Sequence, residues 1–82
     1  MANDDSFRED ALNRLKRIEG QVRGLQRLVE QGAPCRKMAS QVKAVRTALD
    51  ATGKLILACY VSDMLKKEDI SPDEAAELLM KF

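Results

Sequence analysis

The side chains with the most chemistry to offer are the two thiols, Cys35 and Cys59. They stand without an imidazole, because the 82 residues include no His. That absence removes the commonest general base and the commonest metal ligand. A Ser-His-Asp triad, a Cys-His dyad and a His-bearing zinc site are all excluded. With no acid/base pair and no phosphate loop either, the chain is not expected to be an enzyme and no catalytic residue is assigned. Cys35 follows Pro34 and falls in the first turn of a predicted helix, where free amides and the positive end of the dipole suit an anionic sulfur. Arg36 and Lys37 add positive charge beside it. The plainer reading of Cys35 is a small residue at a helix start. Cys59 falls on an apolar seam, where a thiol serves either as core filling or as a second reactive group. On one continuous helix the two lie 24 residues apart, or about 36 Å, whereas a disulfide needs Cα atoms within roughly 7 Å. No bridge can form within one chain. An antiparallel pairing of this helix across a dimer would bring Cys35 towards the partner's Cys59 and the partner's Tyr60.

These groups are carried on helices. Ser6 and Glu9 match a capping box. Leu12, Leu15, Ile18, Val22, Leu25 and Leu28 then recur every three or four residues as one apolar stripe. Gly32 is a C-terminal stop, and Pro34 suits the next first turn. Met38, Val42, Val45, Leu49, Thr52, Ile56 and Cys59 continue on heptad-like spacing. Leu57, Val61, Met64 and Leu65 make the far half of this helix apolar on a second side. Ser71-Pro72-Asp73-Glu74 is a further start signal: a cap, a proline at the first position, and acids that complement the dipole. Leu78, Leu79 and Phe82 give the last helix its face. The spacing predicts helices near 6–31, 35–67 and 72–81, an all-α fold of two long helices and one short one in a single domain, residues 1–82.

A helix of about 32 residues spans roughly 48 Å, so two of them and a stub cannot enclose a compact core. The apolar surface of the second helix must meet another chain, and an obligate homo-oligomer is expected. No apolar run approaches the roughly 18 residues of a membrane span, and the acidic start Met-Ala-Asn-Asp-Asp is unlike a signal peptide. A cytoplasmic setting with reduced thiols is the expectation.

The net charge of +1 hides an uneven distribution. Residues 8–46 sum to +6, and residues 47–82 to −3. Arg14, Arg17 and Gln21 share a helix face, with Lys16, Arg23 and Arg27 on an adjacent strip. The second helix opens with Arg36, Lys37, Lys43 and Arg46. A solvated helix exterior accounts for such residues as readily as a phosphate-binding surface does, but acids are scarce where the bases cluster. Gly20 and Gly24, costly inside a helix, point to close helix packing or to a close phosphate backbone.

The run from Leu12 through Arg14, Arg17, Gln21 and Gly24 to Leu25 closely resembles the first-helix signature of the CsoR/RcnR family of bacterial repressors. Cys35 and the segment Val42–Asp50 fall where that family has its first thiolate and second-helix core. The resemblance covers residues 6–82. It implies an all-helical dimer that assembles as a dimer of dimers into a flat tetramer, with the second helices antiparallel across the dimer. It also implies binding to double-stranded operator DNA, released by an effector. Carried over by position, Arg14, Arg17, Gln21 and Arg46 look like the DNA-facing set, and Lys16, Arg23 and Lys43 like electrostatic helpers.

The departures bear on the effector. The family's copper sensors place a Cys, a His 25 residues later and a Cys four further on. Here those positions hold Cys35, Tyr60 and Met64. Its nickel and cobalt sensors need several imidazoles, and its persulfide sensors carry two Cys 29 residues apart. The leading expectation is therefore a thiol-responsive repressor, with Cys35, Cys59 and Tyr60 as the sensing residues and no cofactor. Tyr60 is read as a packing aromatic or a hydrogen-bond partner for Cys35. Two alternatives stay open: a Cu(I)-responsive repressor using Cys35, Cys59 and Met64, and a helical interaction module with no DNA role.

Overall fold

The computed structural model describes residues 5–81. It contains α1 (Asp5–Glu30), α2 (Cys35–Lys66) and α3 (Pro72–Lys81). The all-α expectation and its three elements hold, with each described end within one residue of the predicted one. Ser6 and Glu9 both lie within α1 as described from Asp5 on.

Each boundary has a visible cause. At the end of α1, Gly32 adopts φ +65°, its N–H donates to Val29 O at 3.1 Å, and Ala33 N–H donates to Leu28 O at 2.9 Å. This is the paired closure of a Schellman motif, built on the residue type that enters the left-handed region without a Cβ penalty. The same closure ends α2: Glu68 N–H donates to Leu65 O at 3.1 Å and Asp69 N–H to Met64 O at 2.9 Å. There, however, Glu68 occupies the left-handed position at φ 58°. The start of α3 is a reciprocal capping box. Ser71 N–H donates to Glu74 Oε1 at 3.0 Å, and Glu74 N–H donates to Ser71 Oγ at 3.2 Å.

α1 and α2 form an antiparallel hairpin, and α3 returns against the far end of α2. The molecule measures 52 × 27 × 11 Å, so its thinnest dimension is the diameter of one helix. Its radius of gyration is 16.6 Å, against about 12 Å for a compact chain of this length. The buried residues are correspondingly few and mostly small. Ala11 and Ile18 belong to α1, Thr52 and Val61 to α2, and Ala75 to α3. Thr52 is only 1% exposed, and its hydroxyl donates to Ala48 O at 2.9 Å, which satisfies the one polar group there.

Both apolar stripes divide on folding. On α1, Ile18 is buried and Leu25 and Leu28 are half-buried, while Leu12, Leu15 and Val22 are exposed. On α2, Met38, Val45, Thr52 and Cys59 are half-buried or buried, while Val42, Leu49 and Ile56 are exposed. Each single seam read from the sequence is thus two adjoining lines. One closes the hairpin, and the other stays uncovered in this protomer.

Candidate effector and nucleic-acid surfaces

Cys35 is the first residue of α2 and is exposed. The turn is anchored by Pro34, whose carbonyl accepts from Lys37 N at 2.9 Å and from Met38 N at 3.3 Å. Proline suits this position, having no N–H of its own to satisfy. Arg36 and Lys37 are exposed beside the thiol, and α2 has no acidic residue in its first turn. The surroundings of Cys35 are therefore electropositive and open to a reagent.

Cys59 occupies a different environment. It is half-buried and lines an open recess of about 560 Å³ between the start of α1 and the end of α2. The other walls are chiefly apolar: Phe7, Ala11, Leu12, Leu15 and Ile56, with Tyr60 at 56% exposure. Arg8 and Asp63 complete the lining. Tyr60 stands on the solvent side of α2 next to Cys59, and Met64 is half-buried one turn beyond Tyr60. With Cys35 on the first turn of the 32-residue α2, its sulfur is some 36 Å of helix from that of Cys59. Cys35, Cys59 and Met64 of one protomer thus cannot hold one metal ion. Among the described residues no cluster of three or more His, Cys, Asp or Glu side chains is placed to hold one either.

The basic residues occupy the hairpin's outer surfaces. Lys16, Arg17 and Arg23 on α1 and Lys43 and Arg46 on α2 are exposed. Lys43 and Arg46 flank a shallow depression with Val42, Thr47 and Asp50. Arg14 is half-buried, and its Nε donates to Asp10 Oδ1 at 3.1 Å. Both partners are largely solvated, so a phosphate could replace the carboxylate at small cost. Gln21 is turned inward: its backbone carbonyl accepts from Gln41 Nε2 at 2.8 Å, and its own Oε1 is buried without a hydrogen-bond partner. Gln41 also lies close to Gly24, where a Cβ would stand 3.3 Å from Nε2. Gly24 thus admits the glutamine that ties the two helices. Gly20 has no neighbour within 4 Å of where its Cβ would be, so helix packing does not explain it. The Gln21–Gln41 tie was not anticipated; two glutamines 20 residues apart leave no periodic signal.

With this geometry in place, the comparisons define the class. Residues 8–82 match the model of the metal-sensitive transcriptional repressor family. The chain belongs to that family, whose members are transcriptional repressors and not enzymes. It is 38% identical over 79 residues to the copper-sensing transcriptional repressor CsoR of Bacillus subtilis, covering 92% of this chain and 77% of that protein. It is also 33% identical over 63 residues to an uncharacterized protein of Serratia marcescens encoded in the bioA 5′ region, covering 77% of this chain and 69% of that protein. No solved structure gives a significant match. Family membership sets aside the reading as an interaction module without a role in transcription. No helix among the described residues is long and apolar enough to cross a membrane.

Proposed function

We propose that this repressor binds operator DNA in its reduced form and is released when Cys35 is modified by a persulfide, an oxidant or an electrophile. The observation that carries this reading is the placement of Cys35: exposed, on the first turn of α2, between Pro34 and the pair Arg36–Lys37. The residues at the other two positions of the copper-sensor pattern, Tyr60 and Met64, are a phenol and a thioether, which leaves Cys35 as the accessible thiol. With a persulfide donor, the Cys35 thiolate attacks the outer sulfur, gains it as a persulfide and expels the donor as a thiolate.

The repressor works as an oligomer. A slab one helix thick with Leu49 51% exposed and Val42, Ile56 and Leu12 uncovered needs a second copy to bury them. That association doubles the basic field of residues 8–46. DNA contact is assigned to Arg14, Lys16, Arg17, Arg23, Lys43 and Arg46, acting chiefly on phosphates. Gln21 contributes by fixing α1 against α2, a role its carbonyl already performs. Modification of Cys35 alters the packing of α2 against the partner copy and so the spacing of the two basic surfaces.

The test is a mobility-shift titration on the chain's own promoter. Reduced protein should bind with an affinity that falls steeply with salt, and effector should release it. Cys35→Ser should bind equally well and stay bound. If Cys35→Ser is released like the unmodified protein, thiol sensing at this residue is refuted. A second reading, Cu(I) sensing through Cys35, Cys59 and Met64, is favoured by the copper-sensing relative. The sulfurs do not converge within one protomer, so such a site requires two copies. Competition against a Cu(I) chelator that shows no tight stoichiometric binding eliminates it.

A further inference from the structure

We infer that Asp10 is a positioning residue for operator recognition: it holds the Arg14 guanidinium by Nε and so presents the two terminal nitrogens to the N7 and O6 of a guanine. The inference rests on the DNA-binding reading above and deepens it, from general phosphate contact to the reading of one base.

The line of α1 that carries Arg14, Arg17 and Gln21 opens on an acid. Asp10, Arg14, Arg17 and Gln21 are spaced by four, three and four residues, which puts them on one helix face. The acids that follow on this helix, Glu19 and Glu30, fall on the opposite face by the same periodicity. An exposed carboxylate on a face that meets DNA repels phosphates, so Asp10 lowers affinity unless it supplies something else there. The helix dipole does not explain it. α1 begins at Asp5, and Asp10 lies beyond the first turn, where the dipole is felt. Stability does not explain it either. The Arg14 and Asp10 side chains are 41% and 50% exposed, and a solvated pair of this kind contributes little.

What the pair does is orient. Arg14 Nε donates to Asp10 Oδ1 at 3.1 Å. A guanidinium held at Nε keeps the N–H groups of both terminal nitrogens free, and they lie in one plane as a fork. That fork matches the paired acceptors on the major-groove edge of guanine. Arg14 is also the one half-buried cation of the set assigned to DNA; Lys16, Arg17, Arg23, Lys43 and Arg46 are exposed. Its stem is partly held by the protein, so less side-chain freedom is lost when the fork docks. A phosphate needs none of this, since a mobile cation such as Lys16 serves it as a point charge. A phosphate can displace the carboxylate, whereas a guanine takes the edge that the carboxylate leaves open.

The test uses duplexes of the chain's own promoter in which each guanine in turn is replaced by 7-deazaguanine, which lacks the N7 acceptor. Unmodified protein should bind about tenfold more weakly when one particular guanine is replaced. Arg14→Lys, which keeps the charge and loses the fork, should be indifferent to that replacement. Asp10→Ala should be indifferent to it too, while binding an unrelated duplex as tightly as before or more tightly. Alanine is the strongest helix former, so this variant keeps α1 intact. If Asp10→Ala still suffers the full tenfold loss, Asp10 is only a repelling charge and the inference is overturned. If no 7-deazaguanine weakens the unmodified protein, Arg14 meets phosphate alone, which also overturns it. Unmodified protein that does not prefer its own promoter to the unrelated duplex refutes the operator-binding reading itself, so the two failures are distinguishable.

Discussion

The two ends of α2 carry the same functional group in opposite settings. At its start, Cys35 is exposed, preceded by a rigid proline and followed by two cations, with no acidic residue in the turn. Towards its end, Cys59 is half-buried in a chiefly apolar recess. One thiol is open to solvent and the other is partly covered by apolar neighbours. The terminations of the two long helices differ in the same spirit. The loop end closes on Gly32, while the α3 end makes the same closure with Glu68 held left-handed. The loop end is joined by a polar tie, Gln41 to Gln21, and the α3 end by the burial of Val61 and Ala75. The thiol proposed above to sense the effector thus lies at the end that is polar and fixed by backbone chemistry, while the opposite end is the more apolar one.

The sharpest way to break this comparison is to exchange the thiols' fates. Cys35→Ser should abolish effector-driven release altogether in a fluorescence-anisotropy assay, while Cys59→Ser should release normally. Equal loss in both variants would show that the two thiols act as one unit. Next in size, Val61→Ala should cost about 2 kcal/mol in urea unfolding at fixed protein concentration, because it leaves a cavity around one of the few buried aliphatic side chains. The helix terminators should respond with opposite signs. Glu68→Gly should stabilise the protein and Gly32→Ala destabilise it, each by about 1 kcal/mol, since only the first relieves a side chain in the left-handed region. The smallest effects concern the α1 glycines. Gly20→Ala should raise stability by up to about 1 kcal/mol. Gly24→Ala should gain less, because its methyl presses on Gln41 Nε2 at 3.3 Å and strains the hydrogen bond to Gln21. Thermal or urea unfolding of the pair decides it, and an equal gain would show that the tie yields freely.

Much of this molecule is written in local chemistry. Gly32, Pro34 and Ser71-Pro72 punctuate three helices because a left-handed stop, a missing N–H and a hydroxyl cap act on their immediate neighbours. Cys35 was legible as a helix-start thiol for the same reason, and the charge asymmetry needed only counting. The apolar stripes were less legible. Periodicity shows that a residue lies on a greasy face, but it does not say which partner covers that face. Val42 and Val45 read alike in the sequence, yet only Val45 is turned into the hairpin.

What the chain's own order of residues determined is the set of helices, their ends, and the chemical character of each surface, because all three follow from interactions within a few residues of one another. The tertiary structure alone decided that Gln21 is spent on Gln41, that Gly24 is a contact and Gly20 is not, and that a full line of α2 remains uncovered. Those outcomes depend on how two helices rotate about their axes when they pack. That rotation is set by the sum of many weak contacts between residues distant in the chain, and no short stretch of sequence contains it.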